Sequence, residues 1–260
     1  MNRILLLLIT LVISHLSFSS CTRDEEKDNA FNQLHLNYYE QFHPQGRELI
    51  FFLETVETFP CSNFQIQTSV EYTPDHTWIK SDNIEVPNLC VTSIGPATRS
   101  LSMGAPGQMP GNISLWVNKN RHDFDLELHD THYQIKRQSH FENRLSFSRE
   151  RLMRIPNHTV WGYILTDDQN KSDITAQIIE AFEAKGASVI NLPDGEYHYF
   201  RVENELPHFR LDKEISGFTL WFDQNISILV QAFEEYLETT HTSSHIQLRL
   251  FSTRGERHIM

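Results

Sequence analysis

Between residues 149 and 157 the hydrophobic pattern of this chain changes its period. Before that point apolar residues alternate in short runs; after it, helical stripes take turns with short apolar strands. Leu49 to Leu53 form a dense apolar segment, and Phe64, Ile66 and Val70 sit at even spacings in the next. Trp78 to Val86 is a third strand candidate, closed by Pro87. ISLWV, the polar NKNRHD and FDLEL predict a hairpin, and Tyr133, Ile135, Leu145 and Phe147 continue the alternation. With Gly/Pro punctuation such as GAPGQMPG at 104–111, the spacing predicts an immunoglobulin-like β-sandwich over residues 47–150.

Arg149, Arg151 and Arg154 lead into Ile155-Pro156-Asn157, which marks the boundary. VWGYIL (160–165) is apolar throughout, as expected of a strand covered on both faces. Ile174, Ile178 and Phe182 then fall at i, i+4, i+8, with Asn170 or Ser172 as cap and Gly186 as the left-handed stop. Ala187 to Leu192, Pro193-Asp194-Gly195 and Glu196 to Val202 predict strand, turn, strand. Phe218, Leu220 and Phe222 begin another strand. A second helix has Ile226, Leu229, Val230, Phe233 and Leu237 on one face, and Ile246, Leu248 and Leu250 close the pattern. The order predicts a ferredoxin-like α/β two-layer sandwich over residues 157–260, and an α+β chain overall.

The first twenty-one residues read MNRILLLLITLVISHLSFSSC. Arg3, the apolar run Ile4 to Ile13 and the small residues before Cys21 have the layout of a secretory signal over 1–20. The run falls short of the ~20 apolar residues that span a bilayer. The FSSC junction resembles the lipobox of bacterial lipoproteins, with Phe18 where that family usually has Leu. The resemblance implies that Cys21 is lipidated and becomes the mature N-terminus, with 21–46 as anchor and linker. TRDEEKDN, directly behind it, resembles the surface-export signal of lipoproteins in Bacteroidota-type bacteria. The implied location is the cell envelope, on the outer membrane and surface-exposed. The implied partners are the membrane, through the lipid, and an envelope protein or a glycan.

Without residues 1–20 the chain holds 21 basic against 34 acidic residues. Such an acidic balance disfavours phosphate backbones, so no nucleic-acid partner is expected. With Cys21 acylated, Cys61 and Cys90 remain for a disulfide in an oxidising compartment, the other state being two buried thiols. The enclosed loop of about 29 residues would contribute about 3–4 kcal/mol.

The chain lacks GxSxG, HExxH, GxGxxG and P-loop motifs. No cofactor is implied. Its densest polar cluster runs from His122 to His132, and on a strand Asp123, Asp125, Glu127 and His129 would share one face. Asp123, Asp125, His129 and His132 are the metal-ligand candidates. Strand neighbours on one face lie about 6.6–6.8 Å apart, so one or two could reach the same ion. The solvent face of an exposed strand produces the same alternation. Tyr197, Tyr199 and Trp221 are candidates for stacking on a sugar or apolar ligand, or for core packing. Two functions fit: a lipid-anchored, non-enzymatic binding or assembly module, and an extracellular hydrolase of glycans or peptides whose carboxylates meet only in the fold.

Overall fold

The computed structural model describes residues 31–108, 110–138, 144–168, 170–210, 214–240 and 246–259. Cys21 and the signal sequence lie outside the described residues. The chain is α+β and mostly strand, with two helices among the described residues.

The first half is a single ten-stranded ladder. Its strands are β1 (Leu34–His43), β2 (Gly46–Phe59), β3 (Gln65–Tyr72), β4 (Thr77–Glu85), β5 (Gly95–Ser102), β6 (Asn112–Val117), β7 (Asn120–Leu128), β8 (His132–Arg137), β9 (Leu145–Phe147) and β10 (Arg151–Met153). They pair in the order β10-β8-β7-β6-β4-β3-β5-β2-β1-β9. Alternation is the cause of each strand: Leu34, Leu36, Tyr38 and Glu40 of β1 are buried while their neighbours are partly open. This strand falls inside the stretch the sequence assigned to a linker. The hairpin β6–β7 turns on Asn118 and Lys119 alone, with Asn118 at φ 57, so Arg121-His122-Asp123 belong to the strand and not to the turn. The ladder curls until its face meets itself. Tyr38 of β1 meets Tyr133 of β8 edge to face at 6.5 Å, and Phe51 of β2 lies 6.4 Å from Phe124 of β7. A disulfide joins Cys61 to Cys90, with Cα atoms 5.3 Å apart.

The second half contains β11 (Thr159–Thr166), α1 (Lys171–Glu183), β12 (Ser188–Val189), β13 (Gly195–Glu196), β14 (Arg201–Glu203), β15 (Leu206–Arg210), β16 (Glu214–Ser216), β17 (Phe218–Trp221), α2 (Ser227–Thr240), β18 (Ile246–Ser252) and β19 (Arg257–Ile259). One sheet runs β12-β17-β11-β18-β19, and a small second sheet runs β13-β14-β15-β16. The run Ala187–Leu192 is strand only at Ser188 and Val189. Ile174, Ile178 and Phe182 form the buried stripe of α1, and Leu229, Ala232 and Phe233 that of α2. Each of the Ile, Leu and Phe side chains stabilises by about 1.5–3 kcal/mol on burial, and Phe182→Ala would cost about 3–5 kcal/mol. Gly186, at φ 95, ends α1, and the Ala187 amide donates back to the Phe182 carbonyl.

Strand β11 is covered on both faces, as its uniform apolarity requires. Val160 and Ile164 pack with the helices, whereas Trp161 and Tyr163 enter an aromatic cluster with Tyr197, Phe200 and Phe209. Gly162 permits this crowding, because a Cβ there would strike the Arg249 carbonyl of the neighbouring strand.

Candidate functional site

Two places gather polar side chains, one on the outer face of the ladder and one beneath a cleft. The outer site follows from register. Trp78 on β4 lies beside Ser114 on β6, which faces Asp123 on β7; Lys80 lies beside Trp116, which faces Arg121. Inward-pointing Ile79, Leu115 and Phe124 anchor the three strands in the core, so the alternate positions are turned to the other face, where Ser114 is covered by its neighbours. The result is a tryptophan pair with ring centroids 5.4 Å apart. The Arg121 guanidinium lies 5.2 Å from the Trp78 ring and 5.5 Å from that of Trp116. The His76 ring packs on Trp78 at 4.1 Å.

A hydrogen-bond chain runs along the edge of that pair. The His76 Nε2 and the Ser114 hydroxyl are 2.8 Å apart, Ser114 donates to Asp123 Oδ1, and Arg121 Nε donates to the same oxygen at 2.7 Å. Burial pushes the Asp123 carboxyl upward, but the bonds from Ser114 and Arg121, with the charges of Arg121 and His76, outweigh it. Its pKa ends below the ordinary carboxylate value. Asp123 therefore stays ionised and acts as an acceptor. Stacking surface beside fixed donors and acceptors is what recognition of a polyol requires.

The inner site centres on Glu40, 4% exposed. Its carboxylate accepts from Arg47 Nη1 at 2.9 Å, Arg154 Nε at 3.2 Å and the Tyr133 hydroxyl at 2.8 Å. Arg47 also donates to the Ile155 carbonyl and to Asn157, and Arg154 to the His129 carbonyl. A cleft of about 220 Å³ lies above, lined by Arg47, Asp130, Arg154, Asn157, Pro193 and Tyr197 among others. Among the described residues of its lining, Arg47 and Arg154 are occupied by Glu40 and by backbone, and Asp130 is the one carboxylate. Such a hub serves to hold β1, β2, β8 and the segment after β10 together.

The metal candidates divide among different partners. Asp123 belongs to the tryptophan site, and Asp125 accepts from Gln138 Nε2. Glu127 holds Lys136 at 2.6 Å and His129 at 3.3 Å, while the rings of His129 and His132 stack at 4.4 Å. Desolvation, with the charges of Arg151 and His129, lowers the His132 pKa. Among the described residues no group of three or more His, Cys, Asp or Glu is placed to hold a metal ion. Tyr197 and Tyr199 are core side chains: the first donates to the Pro193 carbonyl at 3.0 Å, the second to that of Glu40 at 2.9 Å. Trp221 is 40% exposed on β17, on a different sheet from the small-sheet segment that carries the two tyrosines.

Sequence reasoning missed both sites. The signal for the outer one was present: Trp78 and Trp116 occupy the polar positions of alternating strands. Comparison with protein-family models, with curated proteins and with solved structures finds no match.

Proposed function

We propose that this chain is a lipid-anchored cell-envelope protein of the outer membrane and a non-enzymatic binding module, with a glycan bound on the outer face of β4, β6 and β7. The tryptophan pair with its Asp123–Ser114–His76 hydrogen-bond chain carries this reading. Arg121 and Lys80 flank the pair in an otherwise acidic chain, which favours a glycan bearing carboxylate groups. The FSSC junction supports the anchor at Cys21.

The ladder, from β1 through β10, and the segment 157–260 are proposed as separate domains. Ring contacts across the curled ladder support sandwich layering in the first, although one continuous ladder replaces the two sheets of an immunoglobulin domain. The strand order β18-β11-β17-β12, all antiparallel and joined through two helices, supports a ferredoxin-like second domain.

Native electrophoresis through gels containing polygalacturonate, xylan or hydroxyethyl cellulose tests the binding role. Retardation by polygalacturonate, lost in Trp116→Ala, is the expected result. Equal migration of wild type and variant in all three gels would refute the glycan. Labelled palmitate should enter the wild type and not Cys21→Ala; labelling of both would refute the anchor.

A further inference from the structure

Residues 58–70 and 86–98 contain no Asp, Glu, Lys, Arg or His, where the chain's 22% charged content would place about six in 26 positions. The Cys61–Cys90 disulfide ties the two spans together at one end of the ladder. There the loop after β4 turns its aliphatic side chains outward: Leu89 is 80% exposed, Ile94 78%, and Val86 and Val91 are open as well.

Part of this loop's backbone finds its partners within the protein. The Asn63 side chain donates to the Leu89 carbonyl at 2.7 Å and accepts from the Val91 amide at 3.1 Å. The Val91 carbonyl receives the amides of Ser62 and Ser93. A solvated loop can leave such groups to water, whereas a loop entering hydrocarbon cannot.

The same end of the ladder receives the chain's N-terminal segment. The Asn32 amide donates to Glu57, the Val56 amide donates to the Gln33 carbonyl, and Phe59 pairs with Gly95 at the foot of the loop. Cys21 precedes Asn32 by eleven residues in sequence, a reach of about 40 Å at full extension. A protein partner fits less well. Four aliphatic side chains offer far less than the ~800 Å² that a stable interface buries per partner, and they include none of the aromatic or arginine anchors such interfaces use. A bilayer demands no matching shape.

We propose that residues 86–94 dip into the hydrocarbon edge of a zwitterionic bilayer, as a second, non-covalent membrane contact beside the anchor. The choice of membrane as occupant rests in part on the anchor reading. The chain's acidity sets the lipid: anionic headgroups would repel it.

The test uses the full chain on phosphatidylcholine vesicles doped with a phosphatidylcholine carrying a diazirine in its acyl chain, with photo-adducts mapped by peptide. Adducts should fall on 86–94 and drop at least about ten-fold in Leu89→Ser/Ile94→Ser, since each aliphatic side chain removed from lipid costs more than the ~1.4 kcal/mol of a decade. Unreduced alkylation and circular dichroism would show that variant folded with its disulfide intact. Absence of adducts on 86–94 would overturn the loop contact, as would a concentration-dependent dimer abolished by Leu89→Ser. Adducts on 86–94 together with palmitate entering Cys21→Ala would refute the anchor and leave the loop standing.

Discussion

The Glu40 hub and the Trp78–Trp116 face use similar chemistry to opposite ends. Each sets a carboxylate against arginine and a hydroxyl: Glu40 with Arg47, Arg154 and Tyr133, Asp123 with Arg121 and Ser114. Under the cleft the charges are out of water, so their pairing becomes a structural requirement. On the outer face Ser114 is covered but water remains in reach of Arg121 and of part of Asp123, so that pair contributes little to folding and remains available to a ligand. Burial, more than residue type, separates a brace from a binding surface.

Substitutions at each cluster sharpen that contrast. Glu40→Gln leaves two guanidinium groups without their counter-charge and should cost about 3–5 kcal/mol in urea denaturation. A loss below about 1 kcal/mol would break the distinction. His198 stacks on Tyr39 of β1 at 4.0 Å, and burial, with the charge of Arg149, pushes its pKa down to about 4. Unfolded, it takes up its proton near pH 6.5, so its contribution is complete above that pH and falls away as the pH drops towards 4. The loss should approach about 3 kcal/mol. His198→Phe keeps the stacked ring without the proton and should flatten the melting temperature over that window; an unchanged slope would show that burial of His198 against Tyr39 does not govern it. Tyr133→Phe deletes one bond to a buried carboxylate and should cost about 1.5–3 kcal/mol by the same denaturation. Asp123→Asn should cost less than about 1 kcal/mol yet abolish retardation by polygalacturonate. Loss of stability without loss of binding would reverse the roles of the two clusters.

Features governed by local periodicity were legible in the sequence. The stripe Ile174, Ile178, Phe182 is the buried face of α1, and Gly186 stops the helix. The two-faced burial of β11 and the pairing of Cys61 with Cys90 agree as well. What escaped depends on contacts between distant segments. Arg47 reaches Glu40 within the β1–β2 hairpin, but Tyr133 and Arg154 meet them only because the ladder curls, and nothing around Glu40 sets it apart from a solvated glutamate. Trp78 and Trp116 become neighbours through a parallel β4·β6 pairing, which no turn between consecutive strands dictates. The dense run from His122 to His132 drew attention for the opposite reason: although neighbours in sequence, Asp123 and Asp125 turn to separate partners, Arg121 and Gln138, while Glu127, His129 and His132 engage one another.

The position of β1 bears on how the chain becomes native. It pairs with β9, its Glu40 waits for Tyr133 and Arg154, and the Glu40 carbonyl waits for Tyr199, 159 residues downstream. The first strand in the sequence is thus among the last to have all its partners available. β2 follows and pairs with it directly, but a molecule emerging N-terminus first would leave the strand's other edge and its buried carboxylate waiting for residues 133–154, until about three-fifths of the chain had followed. High contact order of this kind slows folding and prolongs the lifetime of an unpaired edge. Arrested or clipped chains ending before β8 would therefore leave partly uncovered the β1 row of Leu34, Leu36 and Tyr38, a ready surface for capture by a chaperone or protease.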